Sequence, residues 1–409
     1  MSQRSPAFRA LQHRNFRIFI GGLAVSLIGT WIQSVALSWL LYRLTHSEFL
    51  QGIATLCSHL PVLLLSPLAG LAADRLPRHR IILVTQTIFL CHACLLAYLT
   101  LSNRITPPQV LTLAVLLGIA NSFDIPARQS LMILLTSKED LLGAISLNSV
   151  AFNTARTLGP SLGGLLVAAV GEGVCFAINA VSFLAVLASL AMLRMPEATE
   201  RTPHKSVGEG LGEGIRYAWK HRAVRHPLLL CGIVTLTNAP PLVLGPFVAD
   251  GLFHRGAEGL GLLMASFGLG ATVGVARLAI SQTEERLELV AGRGALLYGA
   301  ALAVYAAAPW FGLVAGASFV AGYAFFRQNA SNNALIQSTI DERYRGRVMS
   351  FYTMMAVGML PVGSFLTGLA AQITGPRPVL GTAAAIAITA GAAFLYYTRT
   401  MDVSECSAV

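Results

Sequence analysis

This sequence has little charge. Of its 409 residues, 12% are Asp, Glu, Lys or Arg and 55% are hydrophobic, with a mean hydropathy of +0.64. Soluble domains carry about 25% charged residues, so a water-soluble domain or a disordered chain is excluded. A nucleotide-driven engine is excluded as well. The glycines at 208, 210, 212 and 214 follow no strand and precede no Lys-Ser or Lys-Thr pair, both of which a phosphate loop needs. The six cysteines form no disulfide framework, since Cys57, Cys91, Cys94, Cys175 and Cys231 lie within apolar runs. Cys91-His92-Ala93-Cys94, with Cys57 and His59 before it, has the softness of a metal site. Cysteine is equally a small buried hydrophobe, and no carboxylate is nearby in sequence, so no metal is expected.

What is present is a recurring apolar segment of about 20 residues, enough to cross a hydrocarbon core of about 30 Å. Twelve such spans are expected, near 16–41, 51–73, 81–102, 108–135, 142–170, 174–193, 227–250, 259–280, 294–310, 311–337, 348–373 and 378–398. In lipid the backbone must satisfy its own hydrogen bonds, so the spans are helices. A cleavable signal is not expected, because the span beginning at Phe16 is far longer than a signal h-region.

The net charge of +10 invites a nucleic-acid reading, which its distribution removes. With both termini cytoplasmic, one side holds only Arg43, Arg104, Arg255 and Arg377, and Arg128, Arg156 and Arg327 fall inside spans. That leaves 22 of the 29 bases on the cytoplasmic side. The positive-inside rule accounts for the excess, so the expected setting is a bacterial-type inner membrane, with no nucleic acid as partner.

The chain also repeats itself. Lys138-Glu139-Asp140-Leu141-Leu142-Gly143 is answered by Asp341-Glu342-Arg343-Tyr344-Arg345-Gly346, and Leu158-Gly159-Pro160-Ser161-Leu162-Gly163-Gly164 more loosely by Leu360-Pro361-Val362-Gly363-Ser364. An offset of about half the chain implies two parallel halves with a binding site between repeats. The expected division is 1–193, a linker 194–226, and 227–409. Within the linker Leu211, Ile215 and Trp219 recur at i, i+4 and i+8, the pattern of a short interfacial helix.

The motif that concentrates this information is Gly70-Leu71-Ala72-Ala73-Asp74-Arg75-Leu76-Pro77-Arg78-His79-Arg80. It resembles the signature loop between the second and third helices of major facilitator transporters. Arg14-Asn15-Phe16-Arg17, Gly29-Thr30-Trp31-Ile32-Gln33, Asp124-Ile125-Pro126-Ala127-Arg128 and Asn153-Thr154-Ala155-Arg156-Thr157-Leu158-Gly159-Pro160 resemble the drug and siderophore exporters of that superfamily, the enterobactin-exporter-like branch. The resemblance implies an all-α integral membrane fold of twelve helices in two six-helix repeats, and secondary transport of a small molecule by alternating access. It also implies that Gly70, Asp74, Arg75 and Arg78 form a conformational latch, with Asp74 meeting the start of the eleventh helix near Arg347 and Val348. Plain topology determination by the arginines is the competing reading of that loop. The second-half copy departs from the pattern, with Arg277 and Gln282 after Gly274 and no Asp-Arg pair. Gly159, Pro160, Gly163 and Gly164 resemble the fifth-helix motif of exporters, although Ala155 replaces its first glycine; helix packing alone also explains glycines there.

Ionisable residues inside spans are costly and are therefore functional candidates. Asp124 lies about 24 Å along its helix from the periplasmic start, and Arg327 has the same depth 203 residues later. A pair across the halves and an i,i+4 pair of Asp124 with Arg128 both suit this acid. Arg156 is matched in depth by no acid in the spans, so it meets either an anionic or oxygen-rich substrate or backbone carbonyls near Gly159-Pro160. Trp31, Gln33, Asn121, Asn153, Asn238, Phe325 and Asn329 are the expected cavity lining. Asp124 is the expected proton carrier, since a gradient must supply the energy and no cofactor is implied. The sequence thus predicts a proton-coupled monomeric exporter of a siderophore or amphipathic drug-like molecule. A lysophospholipid flippase of the same fold and a membrane-embedded acyltransferase are the alternatives; the latter needs a His/Asp pair at headgroup level, where His13 and His79 sit among bases.

Overall fold

The computed structural model describes residues 9–137, 139–193, 216–281, 286–340 and 344–406, and among them it contains helices and no strand. The first bundle comprises α1 (Arg14–Thr45), α2 (Glu48–Arg75), α3 (Arg78–Leu101), α4 (Pro107–Leu134) and α5 (Leu141–Ala191). Then come α6 (Arg222–Thr237), a short α7 (Ala239–Val243), a π-helical turn (Phe247–Leu252), α8 (Gly256–Ser281), α9 (Leu287–Ala307), α10 (Phe311–Thr339), α11 (Arg345–Thr374) and α12 (Pro376–Cys406). Pro107 opens α4, where its missing N–H is no loss, and Gln109 accepts a hydrogen bond from the Thr106 backbone N–H at 2.9 Å.

Ten of the helices among the described residues are long and apolar enough to cross a membrane. The twelve expected spans map onto them with two differences. The spans expected at 142–170 and 174–193 form one 51-residue element, α5, turned at Gly171 (φ 81°, ψ 168°). That left-handed conformation suits glycine alone. α10 has the length, 29 residues, but its polar lower half (Arg327, Gln328, Asn329, Asn332 and Asn333) dilutes its hydropathy.

The chain divides into two compact units. Unit 1 takes 1–45, 57–204 and 255–265; unit 2 takes 46–56, 205–254 and 266–409. They depart from the expected halves by two exchanged segments, and glycine contacts explain both. In unit 1, a Cβ on Gly164 would lie 2.7 Å from the Ala257 carbonyl oxygen and 2.9 Å from Gly261 Cα. In unit 2, a Cβ on Gly52 would lie 2.5 Å from the Ser364 carbonyl oxygen and 3.0 Å from Gly368 Cα. Backbones this close bind the first turns of α8 to α5 and those of α2 to α11, the small-residue packing that replaces the hydrophobic effect in lipid.

The core of unit 1 centres on Phe16, Phe19, Ile82, Leu131 and Leu190, and that of unit 2 on Tyr298, Val234, Leu302 and Ala387, all buried. Of the expected linker helix, Leu211 and Ile215 lie outside the described residues. Residues 216–220 are helical, with Ala218 buried, Trp219 exposed, and Tyr217 stacked on Tyr344 at 4.3 Å.

Candidate functional site

The polar groups of unit 1 are organised by the close approach of α1 to the first arm of α5. Gly159 and Gly163 permit it: a Cβ on Gly159 would stand 2.4 Å from the Trp31 Cβ, and one on Gly163 3.1 Å from Ile32 Cα. The Trp31 indole meets the Phe152 ring edge-on, 6.1 Å between centroids at 69°. One turn further along α5, the Arg156 guanidinium carbon lies 5.9 Å from the same ring centroid, inside cation–π range. Its Nη2 donates to Asn153 Oδ1 at 2.7 Å, while Asn153 Nδ2 donates to the Ser149 carbonyl at 2.8 Å. That second bond turns the amide oxygen toward the arginine. Arg156 is 8% exposed, so an oriented guanidinium is held in a largely desolvated place, where a fork of N–H donors grips a carboxylate or other planar oxygen group most strongly. Trp31, Asn153 and Arg156, three expected cavity residues, therefore stand together. Phe152 was not foreseen; its position one helical turn before Arg156 was the signal available.

Gln33 lies apart from this group. It is 4% exposed and its Oε1 accepts from Asn179 Nδ2 at 2.8 Å, with Ser182 donating to Asn179 Oδ1 at 2.9 Å. Gly29 brings the second arm of α5 against α1 here, so in this structure Gln33 lies in the packing between these helices.

Asp124 is 1% exposed on α4. Its Oδ1 accepts from Thr85 Oγ1 at 2.8 Å and from Gln86 Nε2 at 3.0 Å, and its Oδ2 stands 3.2 Å from Arg128 Nη2. Of the two pairings the sequence left open, the one with Arg128 is formed. Arg327 belongs to unit 2, its guanidinium 5.9 Å from the Tyr323 ring centroid. Thr85 and Gln86, adjacent polar residues in an otherwise apolar span, are the functional neighbours that sequence reasoning passed over. Asn121 donates to the Leu117 carbonyl at 3.0 Å. In the signature loop, Arg78 Nη1 donates to the Ser130 carbonyl at 3.4 Å. Gly70, Asp74 and Arg75 lie on the helical backbone of α2, and their side chains are outside the described residues.

In unit 2 the expected lining residues are held by neighbours. Asn238 Oδ1 accepts from the Tyr298 hydroxyl at 3.2 Å. Asn329 donates to the Phe325 carbonyl at 3.1 Å and accepts from Cys231 Sγ at 3.3 Å. Phe325 is 8% exposed and packed among Tyr298, Phe326 and Phe267, with ring centroids 5.6, 5.2 and 6.2 Å away. Among the described residues no group of three or more His, Cys, Asp or Glu could hold a metal ion.

Residues 5–408 match the family described as transmembrane secretion effector, a branch of the major facilitator superfamily. The chain belongs to this family. It is similar to the staphyloferrin A transporter of Staphylococcus aureus, 26% identical over 88% of this chain and 90% of that protein. It is similar to the multidrug efflux pump Tap of Mycolicibacterium fortuitum, 24% identical over 85% and 87%. The enterobactin exporter EntS of Shigella boydii is 26% identical over 90% and 86%. Among solved structures, a variant of the nucleoside transporter NupG superposes with a TM-score of 0.77 over 94% of this chain and 99% of that one, at 14% identity. A bacterial homologue of the lysosomal transporter Spinster, crystallised facing inward, gives 0.71 over 98% of both chains, also at 14%. At such identities the structures speak for the fold alone; it is the family and the relatives that make this major facilitator protein a multi-pass membrane transporter of a small molecule.

The family's fifth-helix motif has a physical counterpart here. A Cβ on Gly261 would lie 2.5 Å from the Pro160 carbonyl oxygen, while Pro160, lacking an N–H, donates no ladder hydrogen bond to the carbonyl of Arg156, four residues earlier. Outside the spans, Asp140 precedes α5 and is joined by His13 Nε2 at 2.9 Å and Arg9 Nε at 3.3 Å. The His13 hydrogen bond, with Ser137 and the charge of Arg9 assisting against partial desolvation, holds the Asp140 carboxyl below its ordinary value of 3.8. Arg43 and Glu172 form a bidentate pair at 2.7 and 3.3 Å, tying the end of α1 to the Gly171 turn.

Proposed function

We propose that this transporter exports an anionic or oxygen-rich amphipathic small molecule, a siderophore before a neutral drug. It works as a monomer in a bacterial inner membrane with both termini cytoplasmic, uses the proton gradient, and needs no cofactor, enzymatic step or nucleic acid. The observation that carries the reading is Arg156, buried, oriented by Asn153, and placed against the ring of Phe152, which Trp31 meets edge-on. A desolvated guanidinium beside π faces suits a catecholate or carboxylate chelator, which offers flat rings and anionic oxygens together. The siderophore-transporting relatives support the same class. Asp124 is the proton carrier in this reading: protonation would loosen its ion pair with Arg128 and its bonds from Thr85 and Gln86, coupling charge at one acid to the α3–α4 packing.

Binding of candidate substrates to the detergent-purified protein, read as thermal stabilisation, tests this. A ligand at 100 times its dissociation constant stabilises by about 2.7 kcal/mol. Anionic siderophores are expected to raise the transition and to lose that effect in Arg156→Gln. Stabilisation confined to lipophilic cations or lysophospholipids would overturn the assignment in favour of multidrug efflux or lipid movement.

A further inference from the structure

A groove of about 780 Å³ runs along the outside of unit 1 between α3 and α4, inside the range of about 300–1,000 Å³ that ligand sites occupy. It begins at Leu76, Pro77 and Arg80 and continues past Val84, Ile88 and Leu95 on α3 and Leu116 and Ile119 on α4. Those last five side chains are all exposed, Val84 at 60%.

The two threonines on the wall are committed elsewhere. Thr85 donates to Asp124 and Thr87 to the Leu83 carbonyl at 2.8 Å. The His92 ring nitrogens are buried, beside the Leu113 backbone and without hydrogen-bond geometry to it. The groove therefore offers hydrocarbon along its length. Arg80 is the exception. It is exposed at the mouth, in the first turn of α3, where its backbone N–H donates to the Pro77 carbonyl at 2.9 Å, and its side chain makes no hydrogen bond or ion pair among the described residues. From Arg80 to Leu95 the helix rises about 22 Å, more than the roughly 15 Å of acyl chain in one leaflet of a 30 Å core.

A guanidinium unpaired among the described residues at one end, and a largely apolar channel at least a leaflet long behind it, match one kind of molecule. We propose that this groove binds an anionic phospholipid, its phosphate on Arg80 and one acyl chain along α3 and α4. Lipid would occupy any outward face of a membrane protein; the unengaged guanidinium makes this place selective for negative headgroups, which a basic membrane-proximal residue attracts. Assignment of Arg80 to the cytoplasmic leaflet rests on the topology proposed above, whereas binding itself does not depend on it.

Native mass spectrometry of the full chain in detergent, titrated with phosphatidylglycerol or phosphatidylcholine, tests the site. A charged hydrogen bond is worth about 1.5–3 kcal/mol, so Arg80→Gln should weaken phosphatidylglycerol by at least about tenfold and leave phosphatidylcholine unchanged. Ile119→Trp, which fills the groove, should weaken both. Glycerol phosphate at the same concentration should displace neither. Undiminished phosphatidylglycerol binding in Arg80→Gln, or displacement by glycerol phosphate, would overturn the proposal. Because the Arg80 side chain is exposed and unbonded among the described residues, its substitution leaves the fold intact, and Ile119→Trp supplies an independent reading.

Discussion

Removing either partner of the Arg43–Glu172 pair should cost very different amounts. The Glu172 side chain is 9% exposed and the Arg43 side chain 52%. Arg43→Gln leaves a buried carboxylate without its cation, and an uncompensated buried charge is expensive, 3–5 kcal/mol in fully enclosed pairs. Here water reaches the arginine's side of the pair, so about 2–3 kcal/mol is expected. Glu172→Gln leaves a half-exposed guanidinium that water solvates, and the new amide oxygen still accepts one of its N–H groups. Its cost should stay near the 0.5–1.5 kcal/mol of one ordinary hydrogen bond. The asymmetry follows from burial alone, because the same two bonds are lost or weakened in both variants. Reversible unfolding in mixed micelles, comparing the two single variants and the double, measures it. Equal losses, or a greater loss in Glu172→Gln, would refute the reasoning that burial of the acid decides the sign. The double variant should fall close to Glu172→Gln, since removing both charges leaves none stranded.

Gly164→Ala and Gly261→Ala should each destabilise by about 1–3 kcal/mol through overpacking, net of the roughly 1 kcal/mol that Ala gains over Gly in a helix. Together they should cost less than their sum, because one displacement of α8 from α5 relieves both; additive losses in the same unfolding assay would show that the contact is not shared. Asp124→Asn should retain substrate binding and lose substrate-driven proton release, and release at the normal stoichiometry would remove Asp124 from that role. Asp140 adds stability at the N-terminal end of α5. Its folded value lies below the unfolded one, so the contribution is complete above the ordinary 3.8 and disappears as pH falls through the depressed value. Asp140→Asn should therefore lower the melting temperature at neutral pH and make no difference in strong acid.

The spans, the basic loops and the internal repeat were legible because each is local and periodic in sequence. About twenty apolar residues in a row admit one structure in lipid. The glycines of 159–164 were likewise readable as close-packing positions, though not the partners they admit: Trp31, Ile32 and Gly261 are each remote in sequence. Arg156, Asn153 and Trp31 were legible as unusual residues for a span. Their grouping around Phe152 was not, nor was the withdrawal of Gln33 and Phe325 into packing.

Within the spans, sequence alone determined that these segments are helical, that most are long and apolar enough to cross a membrane, and which family they belong to. It did not determine which way each helix faces. In a soluble bundle the polar stripe marks the outside, but here lipid and protein interior are equally apolar, so hydropathy carries almost no rotational signal. Only the tertiary structure therefore decided that Asp124 meets Thr85, Gln86 and Arg128, that Gln33 turns onto Asn179, and that Arg43 reaches Glu172, 129 residues away.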